Sequence, residues 1–333
     1  MSHCPAAPPV QSEQLDLFRA LPGDMAPRDA QDLMAHPFFS LAKSRRTVPI
    51  DFRSGEVTVR VEGTLEHGIA TIWDADILIW AASQIVEARD AGLPTSRLMR
   101  ATPYQILRFI GRGTSLRDYQ RLKAALDRLQ STSVATSIRE TTGRRLHRFS
   151  WINEWKEYIR PDGRSDGIEL ILADWFFTGV MDEALVLTLD PTYFRLSGGI
   201  ERWLYRLVRK HGGRQPGGWR FEMRHLYLKS VALQRSRDFA AHVRGLALRQ
   251  ALPGYRLSIE RSGGIEWLAF RPCTDNAGST DLSTASVEEP VDVMGTGSVD
   301  HRRGTRWITG ANIGGSPAPI SPQAAPSNGW GPP

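Results

Sequence analysis

An arginine stripe is the feature of this sequence whose residue types and spacing most clearly suggest chemistry. On a helical projection Arg117, Arg121, Ala124 and Arg128 fall within about 60° of one another, with Gln120 beside them. Arginine can bind phosphate, or the major-groove edge of guanine, through two parallel hydrogen bonds, and glutamine can pair with adenine. The small Ala124 would permit close approach to a groove. This composition is typical of a DNA recognition helix.

The stripe requires a helix to hold it, and the sequence carries the signals for two helices joined by a tight turn. Thr102 and Gln105 have the spacing of a capping box, and a glycine-containing turn follows at 111–113. Ser115 and Asp118 mark the start of the second helix. Its buried face, at three-to-four spacing, is predicted to comprise Leu116, Tyr119, Leu122, Leu126 and Leu129.

A β-hairpin with a basic tip is predicted after this helix. β-Branched residues alternate over 133–139, Gly143 lies in the turn, and a second strand is predicted over 147–155. Any surface helix can carry charges, but a helix-turn-helix followed by a basic hairpin is typical of a winged helix, whose wing lies over the phosphate backbone. The candidate DNA contacts in this block are Arg112, Arg117, Gln120, Arg121, Ala124, Arg128, Arg144, Arg145 and Arg148.

A second block repeats this order of elements after the turn-forming segment 161–167. Strands are predicted over 167–177 and 185–189, helices over 199–212, 223–232 and 237–251, and a hairpin over 255–260 and 265–270. In the helix over 199–212 we expect Arg202 and Arg206 to be exposed. The block is interpreted as a second winged helix, from the order of its elements rather than from matching residues.

The helix over 237–251 would be the second recognition helix. Arg237 and Arg244 lie on its outward face and are the candidate DNA contacts there. It carries fewer basic residues than the helix that contains Arg117. The outward Leu248 keeps open a structural or dimer-forming role instead.

The predicted fold is therefore α+β, with two tandem winged-helix domains between disordered tails. The first block also contains predicted strands over 50–61 and 69–73 and a helix over 74–91. The proposed division is a flexible leader over 1–30, the first winged helix over 31–160, the second over 161–272, and a disordered tail over 273–333.

Charge and composition agree with a polyanionic partner. The chain has a formal charge of +6, but residues 41–272 alone carry 37 basic and 25 acidic residues, or +12. A field of that sign attracts nucleic acid. The two cysteines have no zinc spacing, and we find no secretory signal or membrane-length apolar segment. We expect a cytoplasmic protein without metal or cofactor.

Enzyme chemistry has weak support in the sequence. Nucleotide-binding glycine loops and paired metal ligands are not found, so no catalytic residue is predicted. The carboxylate pairs Asp74/Asp76 and Asp162/Asp166 fit a helix start and a turn. A weaker hypothesis remains, in which a tyrosine acts in DNA nicking and joining; the candidates are Tyr104, Tyr119 and Tyr205.

Several longer segments resemble one known family. They include HPFFSLAKSRR at 36–46, GIATIWDADILIWAASQI at 68–85, the TPYQIL and RLKAAL segments, WINEW, GIELILADWFF, GGIERWLYRLVRKHGG and LPGYRL. Over about residues 30–272 the chain resembles the plasmid replication initiator protein A family, which is similar to tandem winged-helix initiators that bind origin repeats, or iterons.

The resemblance implies double-stranded DNA as a partner, opening of an adjacent AT-rich region, and recruitment of host helicase and initiator proteins. It also implies repression of the initiator's own promoter, and a homodimer is compatible with it. A winged-helix transcriptional regulator without a replication role remains the alternative.

Overall fold

The computed structural model describes residues 15–140, 146–213, 215 and 217–273 as a mixed α+β fold. The α-helices in these residues are α1 (Gln31–Ala35), α2 (Ala75–Asp90), α3 (Pro103–Phe109), α4 (Leu116–Ser131), α5 (Asp174–Met181), α6 (Gly199–Gly212), α7 (Met223–Ser230) and α8 (Ser236–Arg249). Two short 3-10 helices cover Glu183–Leu185 and Pro191–Arg195. The strands are β1 (Phe18–Arg19), β2 (Arg28–Ala30), β3 (Ile50–Ser54), β4 (Val57–Glu62), β5 (Leu98–Ala101), β6 (Ser133–Thr136), β7 (His147–Ser150), β8 (Ile152–Ile159), β9 (Ser165–Leu172), β10 (Val186–Thr188), β11 (Trp219–Glu222), β12 (Tyr255–Ser262) and β13 (Ile265–Pro272).

These strands form four sheets. The two larger ones have the orders β1–β5–β9–β8 and β3–β4–β6–β7. A three-stranded sheet has the order β11–β13–β12, and β10 pairs with β2. Apart from the parallel pair β1 and β5, the strand pairings are antiparallel.

Two sets of elements follow one order: a helix, a strand, two helices and a hairpin. The first set is α2, β5, α3, α4, β8 and β9; the second is α6, β11, α7, α8, β12 and β13. In each set the single strand pairs with the last strand, which gives the matching orders β5–β9–β8 and β11–β13–β12. The first set differs by the insertion of β6 and β7. The predicted repetition is therefore present in the order of elements.

The hairpin predicted over 133–155 is only partly correct. β6 and β7 do pair, with Ser133 opposite Ser150, but they extend the sheet of β3 and β4. The chain then passes into the other sheet through Trp151, which is fully buried and stacks on Phe39 at 5.0 Å. The alternating residue pattern of the sequence does not reveal this change from one sheet to the other. The hairpin that matches β12–β13 is β8–β9.

The segment 161–167, predicted to separate two domains, lies at the turn of the β8–β9 hairpin. The backbone N–H of Arg160 donates to the carbonyl of Arg164 at 2.8 Å, which closes that turn. The predicted boundary between residues 160 and 161 thus falls inside a hairpin, and the structure has no linker there. One continuous hydrophobic core contains residues from both sets of elements.

Part of the segment predicted as a flexible leader, residues 1–30, pairs with other strands from Phe18 onward. Phe18 pairs with Met99 at the edge of a sheet, and β2 pairs with β10. Asp29 is buried and binds Arg206 at 2.7 Å. The apolar and acidic residues of this segment therefore complete the core. Residues 274–333, predicted as a disordered tail, lie outside the described residues.

Two further predictions from local pattern fail. Residues 69–73 form a single bridge, Ser40 to Thr71, rather than a strand. The strand predicted over 167–177 ends at Leu172, because α5 starts at Asp174 and buries Trp175. The helix predicted over 199–212 is confirmed as α6.

Two arginines of α6 were predicted to be exposed and are buried. Arg202 binds Asp76 of α2 at 2.7 Å, and Arg206 binds Asp29. Arg202 is 2% exposed and Arg206 is 1% exposed. Charges are this deeply buried only when they are paired. These ion pairs join α6 of the second set to α2 and to the N-terminal segment.

Candidate nucleic-acid interface

Both predicted helix starts around the arginine stripe are confirmed. Thr102 and Gln105 form a capping box at α3, and Ser115 and Asp118 form one at α4. The Ser115 hydroxyl donates to the Asp118 carboxylate at 2.6 Å, and this hydrogen bond lowers the pKa of Asp118. The first turn of α4 is therefore fixed by local hydrogen bonds.

The remaining turns of α4 are fixed by packing. Leu122, Leu126 and Leu129 are buried as predicted, whereas Leu116 is 75% exposed because the first turn lies outside the core. On its flank α4 is held to β8: Lys123 binds Glu157 at 2.6 Å, and the Trp155 indole donates to Asp127 at 3.2 Å. The exposed face of α4 is consequently held in one orientation.

Part of the predicted stripe lies on this exposed face. Arg117, Gln120 and Arg121 are exposed, and Ala124 is half-buried beside them. The Arg121 guanidinium lies 3.4 Å from the Asp118 carboxylate, and the Arg121 side chain is 60% exposed. These side chains present bidentate donors and an amide around a small residue, which is the arrangement that can contact phosphates and base edges.

Arg128 and Arg112 are engaged elsewhere. Arg128 donates to both carboxylate oxygens of Asp74 at 2.7 Å, and this pairing raises the pKa of its guanidinium. Arg112 binds Asp76 at 2.9 Å. From the sequence Asp74 was expected at the start of α2, as a helix-capping residue, but its side chain makes no capping hydrogen bond to that helix. The geometry favours a role for both arginines in positioning α4 and the turn before it.

A groove of about 680 Å³ runs beside α4, and its lining adds basic residues that the sequence analysis missed. Lys43 and Arg45 line it together with Arg121, and the Lys43 ammonium lies 5.6 Å from the centre of the Trp73 ring. The basic run at 43–46 was a usable signal. It extends the positively charged surface beyond α4.

The arginines predicted for the wing belong to the segment that includes β7, and a second hairpin also carries exposed arginines. Arg144 and Arg145 lie outside the described residues, and the exposed Arg148 belongs to β7 in the other sheet. At the β8–β9 turn, Arg164 is 84% exposed, and Arg160 is 57% exposed while bound to Asp166 at 2.8 Å. The turn signal at 161–167 could have identified these arginines as a hairpin tip.

On α8 the two predicted DNA contacts, Arg237 and Arg244, differ in whether the side chain is already bound within the protein. The Arg237 side chain is 93% exposed. Arg244 donates to both carboxylate oxygens of Glu266 on β13, at 2.7 and 2.9 Å, and is thereby fixed to the hairpin of its own set. Leu248 is 87% exposed on the same helix.

The tyrosines considered for strand transfer have different surroundings. Tyr205 is buried and accepts a hydrogen bond from the backbone N–H of Asp190, whereas Tyr104 is 52% exposed. Burial raises the pKa of Tyr205. Within the described ranges, no His, Cys, Asp and Glu side chains are grouped to hold a metal ion. No described helix has both the length and the apolar composition to cross a bilayer.

Comparisons with known proteins agree on one class. A sequence model described as Replication initiator protein A matches residues 28–257. A protein of Wigglesworthia glossinidia brevipalpis, provisionally named a replication protein, is 29% identical over 228 residues, which is 67% of this chain and 82% of that protein.

Solved structures of RctB domains 2 and 3 are similar in fold. One superposes with a TM-score of 0.53 at 14% identity, covering 73% of this chain and 98% of that chain. A second gives a TM-score of 0.49, also at 14% identity, over 73% and 97% of the two chains. At this identity the likeness concerns the fold alone.

Proposed function

The chain belongs to the replication initiator protein A family, and from this premise we propose that it initiates plasmid replication by binding origin repeats in double-stranded DNA. The observation that carries the proposal is the exposed face of α4. Arg117, Gln120 and Arg121 surround Ala124 on a helix that is fixed by a capping box and by its contacts to β8. A rigid helix with such a face suits the major groove.

We propose further that each set of elements is a winged helix. The matching strand orders β5–β9–β8 and β11–β13–β12 support this. In this arrangement α4 and α8 are the recognition helices, and the β8–β9 and β12–β13 hairpins are the wings. Arg160 and Arg164 would then contact phosphates beside the groove that α4 enters.

The protein would act by assembly rather than by catalysis. After binding its repeats it would promote opening of the adjacent duplex and recruit host helicase and initiator proteins, and a homodimer could repress its own promoter. It would work in the cytoplasm, on the plasmid. The +12 charge of residues 41–272 supports attraction to DNA.

Replication from a cloned origin tests this function. In a host without another initiator, the wild-type protein should maintain an origin plasmid, and the Arg117→Ala, Arg121→Ala double variant should not. Arg53→Ala is a matched control, because that side chain is 79% exposed and lies on β3, away from α4. If origin maintenance survives the double substitution, the α4 assignment is wrong.

The same assay separates the alternatives. A transcriptional regulator would repress a promoter that carries its sites but would not maintain the plasmid. A nicking enzyme would leave a covalent protein–DNA adduct on supercoiled origin DNA with magnesium or manganese. We expect plasmid maintenance without an adduct.

A further inference from the structure

The strand β12 forms an open edge of the second set's sheet. In the part of the chain that the structure describes, it pairs with β13 on one side and with no strand on the other. The two-residue turn makes Ser262 and Ile265 a hydrogen-bonded pair, so the backbone groups of residues 255, 257, 259 and 261 point away from β13. Such an edge is a template for pairing with another strand.

One position of this edge is already satisfied by a side chain that imitates a strand. The Gln250 amide oxygen accepts the Leu257 N–H at 2.9 Å, and the amide nitrogen donates to the Leu257 carbonyl at 2.8 Å. Among the described residues, the outward backbone groups of Ile259 have no such partner. An incoming strand would exchange the two hydrogen bonds of the exposed Gln250 for backbone ones and would also satisfy Ile259.

The outer face beside this edge carries an uncompensated charge. Arg256 lies opposite Arg271 on β13, and both are exposed. Like charges at such positions are unfavourable for a sheet. Within the described ranges no carboxylate lies at ion-pair distance from Arg256, whereas Glu260, on the same face of β12, is 3.4 Å from Arg220 and 46% exposed. A strand that placed a carboxylate opposite Arg256 would relieve this repulsion.

The other face beside the edge is apolar. Leu248, Leu257 and Ile259 line a groove of about 720 Å³ between α8 and β12. Leu248 is 87% exposed there, although it is a large aliphatic side chain. The edge thus combines unpaired backbone groups, charges on one face and an apolar groove on the other.

We propose that the partner of this edge is β12 of a second copy of the chain, paired antiparallel around a two-fold axis at Ser258. Outward-pointing residues must oppose each other, which allows registers centred on residue 257, 258, 259 or 260. The register centred on 258 places Arg256 opposite Glu260 of the second copy, twice by symmetry, and Leu257 opposite Ile259. Centring on 257 or 259 places a serine opposite Arg256, and centring on 260 brings the two Glu260 side chains together. Charge complementarity therefore selects both the occupant and its register.

This pairing would join the two three-stranded sheets into one sheet of six strands. It assigns an interface to the homodimer of the proposed function and rests on that function only for its use, because the pairing itself needs no DNA. Its test is therefore made on the protein in the absence of DNA. A failure there leaves the α4 assignment unaffected, and a failure of origin binding leaves the pairing unaffected.

Charge reversal with a mixed sample tests the interface. Sedimentation equilibrium of the full-length wild type should show twice the chain mass of 37.2 kDa. Arg256→Glu and Glu260→Arg each turn two attractive cross-strand pairs into two repulsive ones, so either variant alone should dimerise roughly tenfold more weakly, or less. An equimolar mixture restores both pairs and should recover the wild-type dimer, which also shows that both variants are folded. Arg53→Glu, at a 79% exposed position on β3, is the matched control and should dimerise normally.

A cysteine at the proposed axis tests the register. In a Cys4→Ser, Cys273→Ser background, Ser258→Cys should form a disulfide between two copies on mild oxidation, since Cα atoms of such a pair lie about 4.5 Å apart. Ser262→Cys is the control, because its two copies would lie about 27 Å apart in this register. The proposal is overturned if the wild type is monomeric at every accessible concentration, or if either charge variant alone dimerises as the wild type does. It is equally overturned if the mixture stays monomeric, or if Ser262→Cys cross-links as readily as Ser258→Cys.

Discussion

Replacing Asp76 by alanine should destabilise the fold strongly, because this carboxylate joins the two sets of elements. Its side chain is fully buried and lies 2.7 Å from Arg202, which is itself 2% exposed, and 2.9 Å from Arg112. Removal of one partner of a buried ion pair typically costs about 3–5 kcal/mol, since the other charge stays buried without compensation.

The surroundings of Arg202 favour the lower end of that range. Its guanidinium still donates to the carbonyls of Leu196 at 2.6 Å and Phe194 at 2.9 Å, and it lies 5.0 Å from the Tyr193 ring centre. Arg112 is 35% exposed and can turn to water. We therefore expect Asp76→Ala to lower the free energy of unfolding by about 3 kcal/mol, a large part of the roughly 5–15 kcal/mol of a folded protein.

Urea unfolding followed by tryptophan fluorescence measures this loss. Asp51→Ala is the control: its side chain is 54% exposed and lies 3.7 Å from Arg60, so its loss should be at most about 1 kcal/mol. The double variant Asp76→Leu, Arg202→Met removes both charges and should recover much of the stability. The reasoning is refuted if Asp76→Ala and Asp51→Ala unfold at the same urea concentration, or if the double variant is less stable than Asp76→Ala.

Two further predictions concern acid stability and the wing. Burial lowers the pKa of both His36 and His211 to about 3, and the nearby charges of Lys210 and Lys229 add to the effect. In the unfolded chain each of these imidazoles binds a proton as the pH falls through about 6.5, whereas in the folded chain it does not. Stability should therefore be full above pH 6.5 and fall by up to about 2.7 kcal/mol per pH unit as the pH drops toward 3, which urea unfolding at pH 7, 6 and 5 measures; a flat profile would contradict the burial argument. Arg160→Ala with Arg164→Ala should reduce the salt dependence of DNA binding, log K against log salt, by about 1.8 if each contacts one phosphate. An unchanged slope in that variant, together with a reduced slope in Arg148→Ala, would indicate that the β6–β7 hairpin, rather than the β8–β9 hairpin, contacts the phosphates.

The parts of the fold that depend on neighbouring residues were predictable from the sequence. Both capping boxes join residues three positions apart, and α6 follows from the periodicity of its own apolar residues. The exposed face of α4 follows from the same helical spacing. These signals are local, so no knowledge of the tertiary structure is needed to find them.

The parts that depend on distant partners were not predictable. Arg202 binds Asp76, which is 126 residues away in the sequence, and Arg206 binds Asp29, which is 177 residues away. A polar face on α6 therefore looked solvated although it is a buried contact. Similarly, β8 leaves the sheet of β7 at Trp151, and only the pairing with β9 reveals which hairpin matches β12–β13. The local pattern at 133–155 therefore did not point to Arg160 and Arg164, whereas Arg117, Gln120 and Arg121 are exposed on α4 as expected.

Titration of the protein onto one origin repeat over a series of salt concentrations tests the central claim most directly. Each contact to a base edge contributes about 1–3 kcal/mol of discrimination, and each phosphate contact contributes about 0.9 to the salt slope. We predict that Arg117→Ala with Arg121→Ala weakens binding to the repeat by at least tenfold or lowers the slope by about 1.8, while Arg53→Ala changes neither. If the double variant binds the repeat with the wild-type affinity and the wild-type slope, α4 is not the DNA-reading helix and the proposed mode of origin recognition is wrong.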